Sequence, residues 1–293
     1  MINEYIVHLI KNLQKDIHFP QEIDLVLSGG AFNGSYMLGS LYYLRELEHQ
    51  GKIRIRKISG SSIGSILGLF YIADRLDLFN ELYSSCFDSL VEHRNLSKLL
   101  QLKTMLKDQL PSNLCELVQD KLYISYHNIR NGRKCVKHRY KNTDEVMDCI
   151  IRSCYVPFLI NYKAAYKNKY IDGMLPYFFK KKKSKTKVLY INLITHDKAN
   201  HALAVKNEHT NMHRVLIGIS DIHQFFIKNK NTYMCSYIDN WSLYEYVVYY
   251  LSLVIEKSIL YTLYITKDIC NIKLVRTILK ECVKCVLSTI FSL

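Results

Sequence analysis

The sequence predicts an α/β fold whose mainly parallel central sheet is covered by helices. Two observations carry this. A strand, a glycine turn and a helix occur twice in succession between residues 22 and 88, and a further short strand ends in the dipeptide Asp172-Gly173. Strands that alternate this closely with helices are joined by right-handed crossovers, which place them parallel in one sheet. With 293 residues, 49% of them apolar, the chain is long enough to bury a large core.

The N-terminal stretch MINEYIVHLIKNLQKDI spaces its polar residues helically and carries Glu4 early, so residues 1–20 read as an amphipathic helix and not as a cleaved signal. Residues 23–28, IDLVLS, form an apolar strand that runs into a glycine-rich turn, after which 35–47 has a helical pattern. Residues 52–59, with Ile53, Ile55 and Ile58, make the second strand, and 63–73, rich in Ile, Leu and Phe, the second helix. From 90 to 121 the pattern is helical and polar, with Pro111 and Ser112 marking a helix start. A lid would fit there, though helical filler is the simpler reading. Tyr170 and Ile171 form a short strand and 187–195 another. Helices over 221–230, 241–257 and 272–292 make residues 201–293 a helical C-terminal region beyond an α/β domain at 21–200. Glu256, Lys257 and Ser258 interrupt the apolar run 251–263, and the tail from 286 is too short for a bilayer, so no membrane-spanning helix is expected.

The chemistry concentrates at the turns. Gly60-Ser61-Ser62-Ile63-Gly64 places a Gly-x-Ser-x-Gly pentapeptide between strand and helix, where a sharp turn lifts the serine hydroxyl out of the sheet and only small neighbours avoid collision. Ser62 is therefore a candidate nucleophile, and Gly60 and Gly64 give it room. The following helix points its N-terminus at Ser62, which favours developing negative charge. The earlier turn, Gly29, Gly30, Ala31, Phe32, Asn33 and Gly34, exposes successive backbone N–H groups that can hold a phosphate or an oxyanion, with Gly30 and Ala31 the first candidates. A dinucleotide loop is the competing reading, but GGAFNG lacks the G-x-G-x-x-G pattern and the next strand ends in Ser59 instead of an acid. Asp172, between a strand end and Gly173, is a carboxylate able to reach a serine hydroxyl; on its own, an Asp-Gly pair is more often a solvated turn.

In this order, the three pieces resemble the patatin-like phospholipase family, whose members carry a G-G-G-x-R/K-G loop, a G-x-S-x-G elbow and a D-G-G/A motif. The stretch 151–159, IRSCYVPFL, is similar to that family's small-residue and proline segment ahead of the base. The resemblance extends over about residues 23–195 and implies a three-layer α/β/α fold. It implies Ser62 as nucleophile and Asp172 as base in a Ser/Asp dyad without histidine, and an oxyanion hole built from Gly29, Gly30, Ala31, Asn33 and Gly34. It implies hydrolysis of fatty-acyl esters of membrane lipids, of phospholipase A or lysophospholipase type, through an acyl-serine and with neither cofactor nor metal.

Three positions depart from the family pattern. Ala31 replaces a glycine but keeps its N–H, Asn33 takes the place of a cation near the oxyanion, and Met174 puts a longer side chain beside the base. Asn33 and Met174 keep open a second class, a lipid-binding or host-interaction module that has lost catalysis. An acyltransferase is the neighbouring enzymatic alternative. His196 and His201, after the strand at 187–195, would serve a rival Ser, Asp, His triad, which the family does not use.

Forty Lys plus Arg against 26 Asp plus Glu give a net charge of +14, which attracts polyanions. The densest cluster includes Lys180, Lys181, Lys182 and Lys183, directly after Tyr177, Phe178 and Phe179. Rings and amines in this order suit anionic membrane, about equally with a plain solvated loop. Nucleic acid ranks well below, since no nucleic-acid motif accompanies the charge. Nine cysteines without regular spacing read as reduced thiols of an intracellular, peripherally membrane-bound protein.

Overall fold

The apolar run at the start of the α/β segment becomes the central strand of a seven-stranded sheet. The computed structural model describes residues 2–13, 19–180, 186–194, 202–203, 205, 210–266, 269 and 272–292. In chain order the elements are α1 (Ile2–Lys11), β1 (Glu22–Leu27), α2 (Gly34–His49), β2 (Arg54–Ser61), α3 (Ile63–Ile72), α4 (Leu78–His93), α5 (Leu102–Leu106), α6 (Leu114–Val118), β3 (Leu122–Asn128) and β4 (Arg133–Lys137). Then follow α7 (Thr143–Ser153), β5 (Tyr170–Ile171), β6 (Lys187–Ile191), α8 (Met212–Lys228), β7 (Cys235–Tyr237), α9 (Leu243–Thr266) and α10 (Lys273–Ser292).

The sheet order is β4-β3-β2-β1-β6-β7, and the four central strands are parallel, as the crossovers require. Strands β4, β5 and β7 are antiparallel additions. The placement of β5 matters most. Strand β2 pairs with β3 only as far as Ser61 opposite Ser125, and β5 takes over with Ile171 opposite His127. The residue after β2 and the residue after β5, Ser62 and Asp172, are thereby delivered to one place at the sheet's end.

Alternation along the strands separates two faces. Ile23, Leu25, Leu27, Ile58, Leu122 and Ile124 face the main core with residues of α2, α3, α4, α7 and α8. The opposite face presents Val26, Val188 and Tyr190, covered by Phe178, Phe179 and Trp241. Helix α9 crosses this second face: Tyr249 meets Phe178 with ring centroids 4.8 Å apart, and Leu260 packs with Ile129 and Ile171. The result is the three-layer α/β/α arrangement.

Residues beyond 200 contribute to the same body. Helix α8 crosses α2 so closely that a Cβ on Gly39 would stand 2.0 Å from the Val215 carbonyl oxygen, and one on Gly218 1.9 Å from that of Tyr36. Strand β7 extends the sheet beyond β6. The helix expected at 221–230 begins at Met212, because buried Arg214 and Asp221 interrupt its apolar pattern. The helix expected at 241–257 runs through its charged interruption to Thr266, and it is long and apolar enough to cross a membrane. The hairpin β3–β4 had no counterpart in the sequence reading.

Candidate active site

Ser62 occupies the turn between β2 and α3 with φ 51° and ψ −129°, a conformation that is costly for a residue with a side chain. The turn closes only because its flanks are bare. A Cβ on Gly60 would lie 2.4 Å from the Gly64 carbonyl oxygen, and one on Gly64 2.6 Å from those of Leu27 and Ser28. The Ser62 carbonyl accepts from the Ser65 N–H at 2.9 Å and the Ser65 hydroxyl at 2.7 Å, which pins the first turn of α3. Ser62 is half-buried, so its hydroxyl is sheltered but reachable.

Asp172 is held against this turn by the segment that follows α7. Ser153 accepts a hydrogen bond from the Ser62 N–H at 2.9 Å on its hydroxyl oxygen, donates that hydroxyl to the Ser125 carbonyl at 2.6 Å, and accepts from the Gly173 N–H at 3.1 Å on its carbonyl. Tyr155 accepts from the Asp172 N–H at 2.8 Å. One short stretch, part of the IRSCYVPFL sequence, thus mounts both candidate residues. Two further contacts close the seam. The Ser61 hydroxyl donates to the Met174 carbonyl at 2.8 Å, and a Cβ on Gly173 would fall 2.1 Å from the Ser125 carbonyl oxygen.

The Asp172 carboxylate is buried, and its two oxygens differ. Oδ1 accepts from the Met174 N–H at 2.7 Å, whereas Oδ2 is buried with no hydrogen-bond partner. The Ser62 hydroxyl is near enough to favour the ionised carboxylate yet makes no bond of standard length to it. Burial pushes the Asp172 carboxyl up to about 6, against the opposing pull of the Met174 N–H, the Ser62 hydroxyl and His127. Such an acid is mostly ionised at neutral pH and poised to take a proton on Oδ2.

The glycine loop completes the arrangement. Ala31 has φ 48°, and a Cβ on Gly29 would stand 3.2 Å from the Ser62 Cβ, so the loop lies directly against the turn. Within it, the Asn33 N–H bonds the Gly30 carbonyl, that of Gly34 bonds the Ala31 and Phe32 carbonyls, and that of Phe32 bonds the Ala202 carbonyl. Among the described residues the amides of Gly29, Gly30 and Ala31 have no such acceptor, and Gly30 and Ala31 are partly exposed. Of the loop donors expected from the sequence, Gly30 and Ala31 can therefore face a ligand, Gly29 is buried against the serine turn, and Asn33 and Gly34 spend their N–H groups on the loop's own shape.

Asn33 is fully buried, and its Oδ1 accepts from Nη1 of Arg214 at 2.8 Å. Arg214, on α8, is itself only 1% exposed and lies over the Tyr36 ring at 5.4 Å. A cation absent from the loop's own sequence thus reaches it from a helix 181 residues away. Met174 has φ 47° and turns its side chain toward Ile129, Ile171 and Leu260, away from the dyad. A pocket with a wholly apolar lining, including Ala31, Ile63, Phe79, Leu82, Tyr83 and Leu99, opens beside Ser62 and the loop. Leu96 and Leu99, from the segment considered as lid or filler, form part of its wall.

The sequence reading assigned no role to Ser153, His127, Arg214 or Glu256. His127 is 1% exposed; its Nδ1 bonds the Asp172 carbonyl at 2.8 Å and its Nε2 lies 3.3 Å from Glu256 Oε1. Only Ser153, within a segment already singled out, carried a signal; the others acquire their place through partners distant in sequence. Lys180 is exposed, whereas Lys181, Lys182, Lys183, His196 and His201 lie outside the described residues. Among the described residues no cluster of His, Cys, Asp and Glu has the makings of a metal site.

Comparison with known proteins matches the same region. Residues 25–176 match the patatin-like phospholipase family. Over 142 residues the chain is 23% identical to mouse (Mus musculus) 1-acylglycerol-3-phosphate O-acyltransferase Pnpla3, which covers 45% of this chain and 34% of that protein. The chain thus spans about a third of the length of this relative. With a match that covers the glycine loop, the serine turn and the Asp-Gly turn, this chain belongs to the patatin-like phospholipase family.

Proposed function

We infer that the protein is a serine lipid acyl hydrolase that cleaves fatty-acyl esters of membrane lipids. The observation that carries this is the shared mount: Ser153 and Tyr155 hold Ser62 and Asp172 together beside the glycine loop, where the amides of Gly30 and Ala31 have no backbone acceptor among the described residues. In the first half-reaction Ser62 Oγ attacks the ester carbonyl carbon while its proton passes to Oδ2 of Asp172. The carbonyl oxygen becomes an oxyanion, met by the loop amides and the N-terminus of α3. Collapse of this intermediate breaks the ester C–O bond, and Asp172 returns the proton to the departing alcohol. Water then attacks the acyl-serine, Asp172 takes its proton, and the fatty acid leaves as Ser62 regains its hydrogen. The apolar pocket beside Ala31 and Ile63 suits the acyl chain, whose burial is favourable in proportion to its apolar area.

Ser62→Ala and Asp172→Ala, assayed for fatty-acid release from phospholipid vesicles and for turnover of a soluble chromogenic ester, are each expected to lose at least about a thousandfold in kcat. Unchanged turnover in either variant refutes the dyad.

Acyl transfer is the second reading, favoured by the name of the mouse relative. The same acyl-serine would then be resolved by an acceptor alcohol in place of water, and product analysis with a lysophospholipid acceptor separates the two. A fluorophosphonate probe separates both from an inert lipid-binding module, since only an activated serine is labelled. The net charge of +14 supports work at an anionic membrane surface, and cysteines that form no disulfide among the described residues support an intracellular setting.

A further inference from the structure

Helix α9 is built inside out. Its inward stripe carries both of its acids, Glu245 and Glu256, together with Tyr249, Leu260 and Leu263, while its outward face carries Val247, Leu251, Val254, Ile255, Tyr261 and Ile265. Leu251 is 57% exposed and Val254 60%. A helix on a protein in water normally shows the reverse. Glu256 is 5% exposed, and its Oε1 lies 2.9 Å from Nζ of Lys134, 3.3 Å from Nε2 of His127 and 3.2 Å from the Leu175 N–H. Burial pushes this carboxyl up, but the His127 hydrogen bond and the Lys134 charge outweigh it and hold it below its ordinary value. The helix is therefore fastened at mid-length, by its charged side, to β3, β4 and the segment just after Asp172.

We propose that the outer face of α9 lies in the plane of an anionic bilayer and seats the protein on the membrane with its active site beside the lipid. Three observations select this occupant. The outer face is apolar and rich in tyrosine, with Tyr244, Tyr250 and Tyr261 exposed, a composition suited to the headgroup boundary. Exposed cations surround it: Lys257 on the helix, Arg130 and Arg133 around the turn beside Lys134, and Lys180 after Phe178, which packs on Tyr249. They complement anionic headgroups. Finally, length and hydropathy would let α9 span a bilayer, but spanning would draw Glu256, His127 and Lys134 into hydrocarbon. The in-plane position leaves that cluster inside the protein.

This inference rests on the reading that the substrate is membrane lipid, so its test uses the Ser62→Ala chain, whose binding to lipid is read without turnover. Sedimentation with phosphatidylcholine vesicles, with and without phosphatidylserine, is expected to show binding that phosphatidylserine strengthens and salt weakens. Leu251→Glu with Val254→Glu is expected to lower the partition coefficient by roughly tenfold or more, with an unchanged circular dichroism spectrum. A second, milder variant, Tyr250→Ser with Tyr261→Ser, is expected to act in the same direction should the first fail to fold. With Trp241→Phe and Tyr250→Trp in the Ser62→Ala chain, so that the one tryptophan stands on the outer face, fluorescence should be quenched more by lipid brominated near the headgroup than by lipid brominated at the chain end. Unaltered partition in both variants overturns the proposal, as does resistance to alkaline carbonate extraction, which would mean a spanning helix. A dimer that the substitutions split while vesicle binding persists also overturns it, because the face would then belong to a second copy.

Discussion

A carboxylate enclosed at the end of a sheet is a poor place to keep a negative charge, and Asp172, the proposed base, illustrates what such a place costs. Its carboxyl titrates at about 6, against 3.8 for the free side chain, so the folded chain binds this proton more tightly than the unfolded one. The sign follows: ionised Asp172 destabilises the fold above pH 6, and the penalty fades as pH falls from 6 toward 4. As the base must be ionised, kcat/KM is expected to fall about tenfold per pH unit below 6, with the inflection near 6. Asp172→Asn keeps an acceptor for the Met174 N–H and removes the charge. It is expected to abolish turnover yet stabilise the protein at pH 8 by about 3 kcal/mol, an advantage that shrinks by pH 5; thermal melts at the two pH values check this. A variant less stable than the parent at pH 8 sinks the argument. Ser62 and Asp172 were legible in the sequence because each sits in a turn that tolerates only small neighbours. Ser153 was legible only as part of the segment 151–159, and His127 not at all, because each acts through backbone partners that only the pairing of β3 with β2 and β5 brings near.

Helix α8 shows how an element outside the matched region reaches the site. Its Arg214 pairs with Asn33 beneath the loop, where Asn33 Nδ2 also donates to the Leu193 carbonyl at 3.3 Å. A guanidinium at this depth both orients the loop and lends it positive potential in a medium that screens charge weakly. Arg214 is a positioning residue, since it acts through Asn33. Arg214→Met is expected to lower kcat by about ten- to a hundredfold with KM little changed, the mark of stabilisation lost chiefly in the transition state. Arg214→Lys should recover part of the rate. A loss of melting temperature alone, with kcat intact in the folded fraction, would make the pair purely structural. Elements with a clean period were readable: β1, α2, β2 and α3 lie within a few residues of their expected limits. Those whose burial is polar were not, since Arg214 and Asp221 hide the start of α8, and Ser125 and His127 break the apolar alternation of β3.

Across the whole molecule, the question is where the folding unit ends. The family match stops at residue 176, yet β6 and β7 complete the sheet, α8 supports the glycine loop, and α9 closes the second face. A chain ending at residue 205 would keep every residue of the dyad and the loop. It would also lose Arg214 and with it the guanidinium that bonds Asn33 Oδ1, and strip the side of α2 that Gly39 brings against Val215. The β6 edge would be unpaired, and Val188, Tyr190 and Phe178 would face water once Trp241 and Tyr249 were gone. Exposed apolar surface and an open strand edge together favour association over folding. The truncated chain is therefore expected to aggregate, with no cooperative melt and no labelling of Ser62 by a fluorophosphonate. A chain ending at residue 242 keeps α8, β7 and Trp241, and is expected to melt cooperatively at reduced temperature and to retain labelling. Equal melting of the 205-residue and full-length chains would instead make the matched region self-sufficient, and the support drawn here from α8 to the loop would be dispensable.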